Sequence, residues 1–323
     1  MTMTTPLPRA ALTLLLLFIV AAPINAQSIR EQDIRAALDF LASDAMQGRG
    51  SGTVYERIAA EYIGSRFRQF GLEPGGDTDS AGNKSFVQRV PVTTAPSGAT
   101  WNAIGILRGS DPREAIMLGA HLDHLGVNEA VTGDDKIFNG ADDDASGCVA
   151  VLELARALTD GKRPRRTIYF VAFGSEERRG DGARHFIENP PVPLTQIVAD
   201  LQFEMLGRPD SKVAAGTLWL TGFERSNLGP ELARHGAALV ADPHPQQHFF
   251  QRSDNYPLAL RGVIAHTISS FGLHTDYHRV SDEVTKIDFP FMTRSLNSLV
   301  RPIQWLANSD FRPEWLPGQA PTR

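Results

Sequence analysis

The stretch "AIMLGAHLDHLG", residues 115–126, runs from an uninterrupted apolar segment into His121, Asp123 and His124 within four positions. A short apolar run bounded by glycine fits a strand buried on both faces, the kind found in the middle of a parallel sheet. Polar side chains at the carboxyl end of such a strand lie where open α/β folds bind ligands. Two readings of this stretch compete: a loop that holds a metal, or a polar turn after a strand.

The segments on either side extend the strand pattern. "TIYFVAF" (167–173) and "VIAHTISS" (263–270) read as further buried strands, and residues 86–93 and 102–108 as shorter extended segments. Apolar positions recur at helical spacing over 30–46 and 53–71, through Ile34, Leu38, Ile58, Ala59, Tyr62, Ile63 and Phe67. Further helices are expected over 145–158, 181–188, 228–239 and 290–307, the last carrying Phe291, Leu296, Leu299, Val300 and Ile303. The Pro/Gly/Ser-rich interval "GLEPGGDTDSAGNKS" (71–85) separates the leading helices from the extended segments. Alternation of strands and helices predicts an α/β fold with a mixed, predominantly parallel central sheet flanked by helices on both faces.

Composition narrows the class. The chain has 323 residues, 42% of them hydrophobic, enough for one large core. Arg9, the apolar run "AALTLLLLFIVAA" (10–22) and the small-residue end "INA" form the three-part pattern of a secretory signal. Residues 1–26 are therefore expected to be a signal peptide and 27–323 a single domain, periplasmic or secreted. The apolar run falls short of the ~20 residues a spanning helix needs, so no stable membrane association is expected after signal removal. Cys148 is the only cysteine, and a helical core position explains it; a chain without disulfides fits a bacterial periplasm better than a cysteine-stapled scaffold. The formal net charge of −5 discourages nucleic-acid binding, and the basic run "GKRPRR" (161–166) reads as a solvated turn.

Four more polar stretches carry candidate chemistry: "NGADDDASG" (139–147), "GSEERRG" (174–180), "FEMLG" (203–207) and "HTDYHRVSDE" (274–283). Asp142, Asp143 and Asp144 cannot all be buried as unpaired anions, because desolvation and mutual repulsion both oppose it. A cation, solvent exposure or capping of the following helix would each relieve the conflict. In the Glu176–Glu177 pair, one carboxylate could coordinate a metal while its neighbour handles protons. Histidine combined with carboxylates forms a credible zinc shell, and a carboxylate shared between two zinc ions favours a hydroxide nucleophile.

Taken in order, "GAHLDHLG", "FNGADDDASG", "FGSEER", "FEMLG" and "YHRVSDE" closely resemble the secreted and periplasmic zinc-dependent aminopeptidases, the co-catalytic zinc metallopeptidases, over roughly residues 100–307. The resemblance implies a zinc-dependent exopeptidase-like fold, two Zn2+ ions and a peptide or small peptide-like substrate cleaved at its N terminus. It makes His121 and Glu204 ligands of one zinc, Glu177 and His278 ligands of the other, and Asp143 the bridge. Glu176 becomes the general base, Tyr277 a hydrogen-bond donor to the oxyanion, and Asp123 the group that orients His121. Glu204 stands where the family usually has aspartate, and Asp200, read as a strand-end residue, is the fallback ligand. Asp254 and Asp282 are expected to brace the cleft and the His278 loop.

The remaining histidines are expected to do less. His124 and His274 read as surface or substrate-edge residues, His244 and His248 as solvated loop residues, and His185 as helix surface or interhelical packing. His235 and His266 are given no catalytic role. Competing functions are a related zinc hydrolase acting on a carboxypeptidase-like or modified amino-acid substrate, a glutaminyl-cyclase-like enzyme, and a noncatalytic metal-containing binding protein.

Overall fold

The computed structural model describes residues 1–2 and 28–322, so the expected signal at 1–26 lies outside the described residues but for its first two. Helices α1 (Glu31–Leu41) and α2 (Val54–Gln69) come first. Strands β1 (Glu73–Pro74), β2 (Val87–Pro91), β3 (Ala99–Leu107) and β4 (Asp111–His121) follow. The short ribbon of β5 (Gly126–Val127) and β6 (Ile137–Phe138) leads to α3 (Gly147–Thr159) and β7 (Arg166–Phe173). Next come α4 (Asp181–Glu188), β8 (Ile197–Phe203), β9 (Leu218–Leu220), α5 (Leu228–Arg234) and β10 (Leu239–Ala241). The chain then adds α6 (Asn255–Ala259), β11 (Ala265–Ser269) and α7 (Phe289–Asn308).

Nine strands form one sheet in the order β1-β3-β7-β4-β8-β11-β9-β10, with β2 paired to β3. Its centre, β7-β4-β8-β11, is parallel. β3 joins that centre antiparallel on one side and β9 on the other. The sheet is therefore mixed, with helices on both faces. Along β4, Ile116, Leu118 and Ala120 enter the core shared with α1, α2, α3 and α7, while Ala115 and Met117 face the core under α4 and α6. This two-residue alternation on a strand buried on both faces is why the segment reads as continuously apolar. At α7 the Asp288 side chain accepts from the Phe291 N–H at 2.9 Å and Pro290 occupies the first turn, a start signal legible in the sequence.

Two expectations are corrected. Asp200 lies in the middle of β8, not at a strand end; it is fully buried and accepts from Gln202 Nε2 at 2.7 Å. Those two polar side chains interrupt the apolar run, which hid a central strand. In "GKRPRR", Arg166 is not part of a solvated turn. It is buried, pairs with Glu114 at 2.7 Å and donates to the carbonyls of Leu306 and Phe311 at 2.6 and 2.7 Å, fastening β7 to the end of α7 and the segment after it.

His266, on β11, contributes to the pH dependence of stability. Its Nδ1 lies 2.7 Å from the Thr221 carbonyl and its Nε2 2.7 Å from Ser226 Oγ, so the neutral ring donates to the first and accepts from the second. Burial lowers its pKa from 6.5 to about 4, so the folded state binds fewer protons than the unfolded chain between those values. The stabilisation is complete above pH 6.5 and is lost as pH falls toward 4, by roughly 3 kcal/mol in all. Thermal unfolding of the native chain and of His266→Gln should therefore give a stability gap that shrinks by about this amount on acidification; a gap independent of pH would contradict the assignment.

Candidate metal centre and active site

The central strands deliver the polar residues together because they run the same way and end on the same edge. β4 ends at His121, β7 is followed by Glu176 and Glu177, β8 by Glu204, and β11 by the loop carrying Tyr277 and His278. Ser175, Met205 and His278 adopt left-handed backbone with φ of 62°, 55° and 55°. Non-glycine residues in that region are uncommon and collect where a fold holds side chains in a set place.

The aspartate triplet divides its work. Asp144 Oδ1 accepts from the N–H groups of Gly147 and Met205 at 3.0 and 3.1 Å, and its Oδ2 from His121 N at 3.2 Å. Asp142 Oδ1 accepts from Gly207 N at 2.7 Å. The Asp282 carboxylate in turn accepts from the N–H groups of Asp142 and Asp143, at 3.1 and 3.0 Å. The outer aspartates thus tie the ends of β4 and β8 to the start of α3, leaving only the middle carboxylate to face the cleft.

Asp143 Oδ1 is 3.2 Å from His121 Nε2, and its Oδ2 is 3.1 Å from His278 Nε2. His278 Nε2 also lies 3.1 Å from Glu177 Oε2. His121, Asp143 and Glu177 each offer a ligand atom, and these atoms lie within 4.8 Å of one another. Among the described residues, Asp143 Oδ2 is buried beside His278 yet has no aligned hydrogen-bond donor, and His124 Nε2 is buried without a partner. Glu204 lines the same cleft with Glu176 and Glu177. Carboxylates here outnumber imidazoles, and a divalent cation among these nitrogen and oxygen donors would remove the imbalance. The residues fit a metal.

Adjacent glutamates are driven in opposite directions. Burial, with repulsion from Glu204, Asp254 and Glu177, pushes Glu176 well above the ordinary carboxylate range against the pull of His121. Against burial and the Asp143 charge, contacts with His124 and His278 hold Glu177 below it. Against its own burial, His278 is raised to about 10 by Asp143 and Glu177. Burial lifts Asp254 to about 7, with Asp123 and Glu204 adding repulsion. Burial and the charges of Asp143, Glu177 and Glu204 push the Tyr277 phenol upward, so it stays a hydrogen-bond donor.

Several sequence expectations change. His124 is not a surface histidine: it is buried, with Nδ1 2.7 Å from Glu177 Oε1 and 3.8 Å from Asp143 Oδ2. His274 is not a free surface residue either: it is largely buried, with Nε2 3.0 Å from Asp142 Oδ2 and Nδ1 2.7 Å from Arg208. His244 is no solvated loop residue; it is buried, and its Nε2 lies 2.7 Å from Asp210 Oδ2. The His121 ring is held by the Asp123 backbone carbonyl, 3.1 Å from Nδ1, whereas the Asp123 carboxylate is 3.9 Å away. That carboxylate instead accepts from the Glu176 N–H at 2.9 Å and from Ser51 Oγ, so Asp123 positions Glu176 as well.

Two positioning residues carried no sequence signal. Buried Arg49 donates to the carbonyls of Leu122, Leu41, Asn139 and Gly140 at 2.6 to 3.0 Å, joining both ligand loops through one guanidinium. Arg208 contacts Asp276 at 2.7 Å and Asp142 at 3.6 Å, tying the His278 loop to the aspartate triplet.

A cleft open to solvent lies over these groups. Its far wall is aromatic: Trp219 stacks on Phe249 at 5.4 Å, Phe249 meets Phe271 at 5.8 Å, and Phe271 meets Tyr277 at 5.2 Å. Tyr277 stacks on His278 at 3.9 Å, so the wall runs to the edge of the polar cluster. Among the described residues, no helix is long and apolar enough to cross a membrane.

Known proteins share parts of this sequence and this fold. An aminopeptidase of Pseudomonas aeruginosa is 32% identical over 114 residues, 34% of this chain and 19% of that relative, so the match spans about a fifth of the relative's length. Among solved structures, a zinc aminopeptidase from Bacillus subtilis superimposes with a TM-score of 0.66 at 16% identity, covering 87% of this chain and 96% of that one. A glutaminyl cyclase from Porphyromonas gingivalis superimposes with a TM-score of 0.65 at 19% identity, covering 86% and 99%. These structural likenesses establish the fold. The sequence profile of peptidase family M28 matches residues 102–300, a span that contains every candidate ligand, and by that match the chain belongs to peptidase family M28.

Proposed function

We propose that this chain is an aminopeptidase that holds two zinc ions, one between His121 and Glu204, the other between Glu177 and His278, with Asp143 shared by both. The observation that carries this reading is the placement of Asp143, whose two oxygens face different histidines, 3.2 Å from His121 and 3.1 Å from His278. Zinc in the similar Bacillus subtilis enzyme and the His/carboxylate donor set here support the choice of metal. When bound, zinc supplies Lewis acidity that polarises a carbonyl and acidifies water.

The chain's own residues do the rest. Glu176 accepts a proton from the attacking water as the new C–O bond forms, and returns it to the departing amine nitrogen as the C–N bond breaks. The Tyr277 hydroxyl donates to the carbonyl oxygen as negative charge develops there. The carboxylates of the cleft attract a free α-amine, favouring an unblocked N terminus. Trp219, Phe249 and Phe271 form a wall suited to an apolar first side chain. The signal-like pattern of residues 1–26 supports a mature form starting near residue 27, outside the cytoplasm.

Hydrolysis of an unblocked peptide with an apolar first residue tests this reading in zinc-loaded, chelated and N-acetylated-substrate samples. Release of the first residue by the zinc-loaded protein alone, from the unblocked peptide alone, is the expected result. Cyclisation of an N-terminal glutamine without hydrolysis would move the assignment to a cyclase, and zinc binding without turnover would move it to a noncatalytic metal protein.

A further inference from the structure

A second cavity shares Glu177 with the aromatic cleft and is bounded by Ser51, Thr94, Ser175, Arg178, Arg179 and Asp181. We propose that this second cavity receives the leaving residue of the substrate and that Arg178 and Arg179 bind a carboxylate on it, either the C-terminal carboxylate of a short peptide or an acidic side chain at the second position. The assignment of sides rests on the aminopeptidase reading: with the first side chain against the aromatic wall and the scissile carbonyl at the polar cluster, the departing part extends beyond Glu177.

Charge and geometry carry the choice of ligand. Both arginines are exposed, and neither has an ion pair or side-chain hydrogen bond among the described residues. The acids around them are already engaged: Asp181 pairs with Arg184 at 2.5 Å, and Glu177 with His124 and His278 at 2.7 and 3.1 Å. The two positive charges are therefore uncompensated at this spot, in a chain whose formal net charge is −5. Their backbone is not loose. The N–H groups of Arg179 and Gly180 both donate to the Ser175 carbonyl, at 3.1 and 2.7 Å, and Gly180 supplies the left-handed φ of 63° that closes the turn. The guanidinium fork matches a carboxylate in a way a neutral amide cannot reproduce.

Two matched pairs of peptides separate the sources of the carboxylate: phenylalanyl-glycine against its C-terminal amide, and phenylalanyl-glutamic acid amide against phenylalanyl-glutamine amide. The zinc-loaded enzyme and its Arg178→Ala/Arg179→Ala variant are compared by kcat/KM, so that the intrinsic reactivity of each leaving group cancels. In at least one pair, the preference for the carboxylate should be roughly fivefold larger in the native enzyme than in the variant, the size expected of two partly exposed ion pairs. It should also shrink in 1 M salt. Discrimination in the first pair assigns the terminal carboxylate; in the second, the side chain. Equal ratios in enzyme and variant for both pairs would overturn the proposal. Calorimetric binding of the same pairs with a reduced, uncleavable CH₂–NH linkage keeps the two readings apart. Discrimination in binding without any turnover would defeat the peptidase reading and keep the arginine site, while turnover without discrimination would do the reverse.

Discussion

Glu176→Gln should lower kcat by about 10²- to 10⁴-fold while leaving the metal content and the affinity for an uncleaved substrate analogue nearly unchanged. Glutamine keeps the shape of the side chain and removes its capacity to take a proton. The resemblance that makes Glu176 the base is matched by a divergence of two neighbours: burial and surrounding carboxylates push Glu176 up, whereas contacts with His124 and His278 hold Glu177 below the ordinary carboxylate range. Two acids driven apart in this way divide into a proton carrier and a charged ligand. Glu177→Gln should accordingly show the opposite pattern, with metal lost first and activity following it. Rates measured alongside elemental analysis of both variants distinguish the roles, and retained activity in Glu176→Gln would remove Glu176 from the mechanism.

Asp143→Ala should weaken both metal sites at once, whereas His121→Ala and His278→Ala should each empty one. For a shared ligand the loss of affinity should exceed the roughly 10- to 100-fold typical of removing a partner that only orients a ligand. Equilibrium dialysis followed by elemental analysis gives the stoichiometry, and the melting temperature gives a reading independent of activity. A site held at ~1,000 times its dissociation constant adds about 4 kcal/mol to the folded state, so zinc should raise the melting temperature of the native chain well above that of Asp143→Ala. Loss of a single ion from Asp143→Ala would show that Asp143 serves one site and would end the bridging assignment.

The fold was legible wherever the apolar pattern was unbroken. The runs now seen as β4, β7 and β11 and the helical spacing of α2, α3 and α7 announced themselves because each element buries a regular set of positions. β8 did not, since Asp200 and Gln202 sit inside it and satisfy one another only after the strand has formed. Short β9 and β10 contain three residues each, too few for a period to emerge.

The same division holds at the site. Local sequence determined which side chains are present and that His121, the aspartate triplet and the Glu176–Glu177 pair follow or precede regular elements, because strand ends and helix starts are written in neighbouring residues. Tertiary structure alone decided that Asp142 and Asp144 fasten backbone while Asp143 faces the cleft, that His124 is buried against Glu177, and that Arg49 reaches carbonyls 73 and 90 residues away from it in the chain. Those outcomes depend on which strands lie side by side and on where a buried charge finds its partners, and both are settled by packing between segments far apart in the chain.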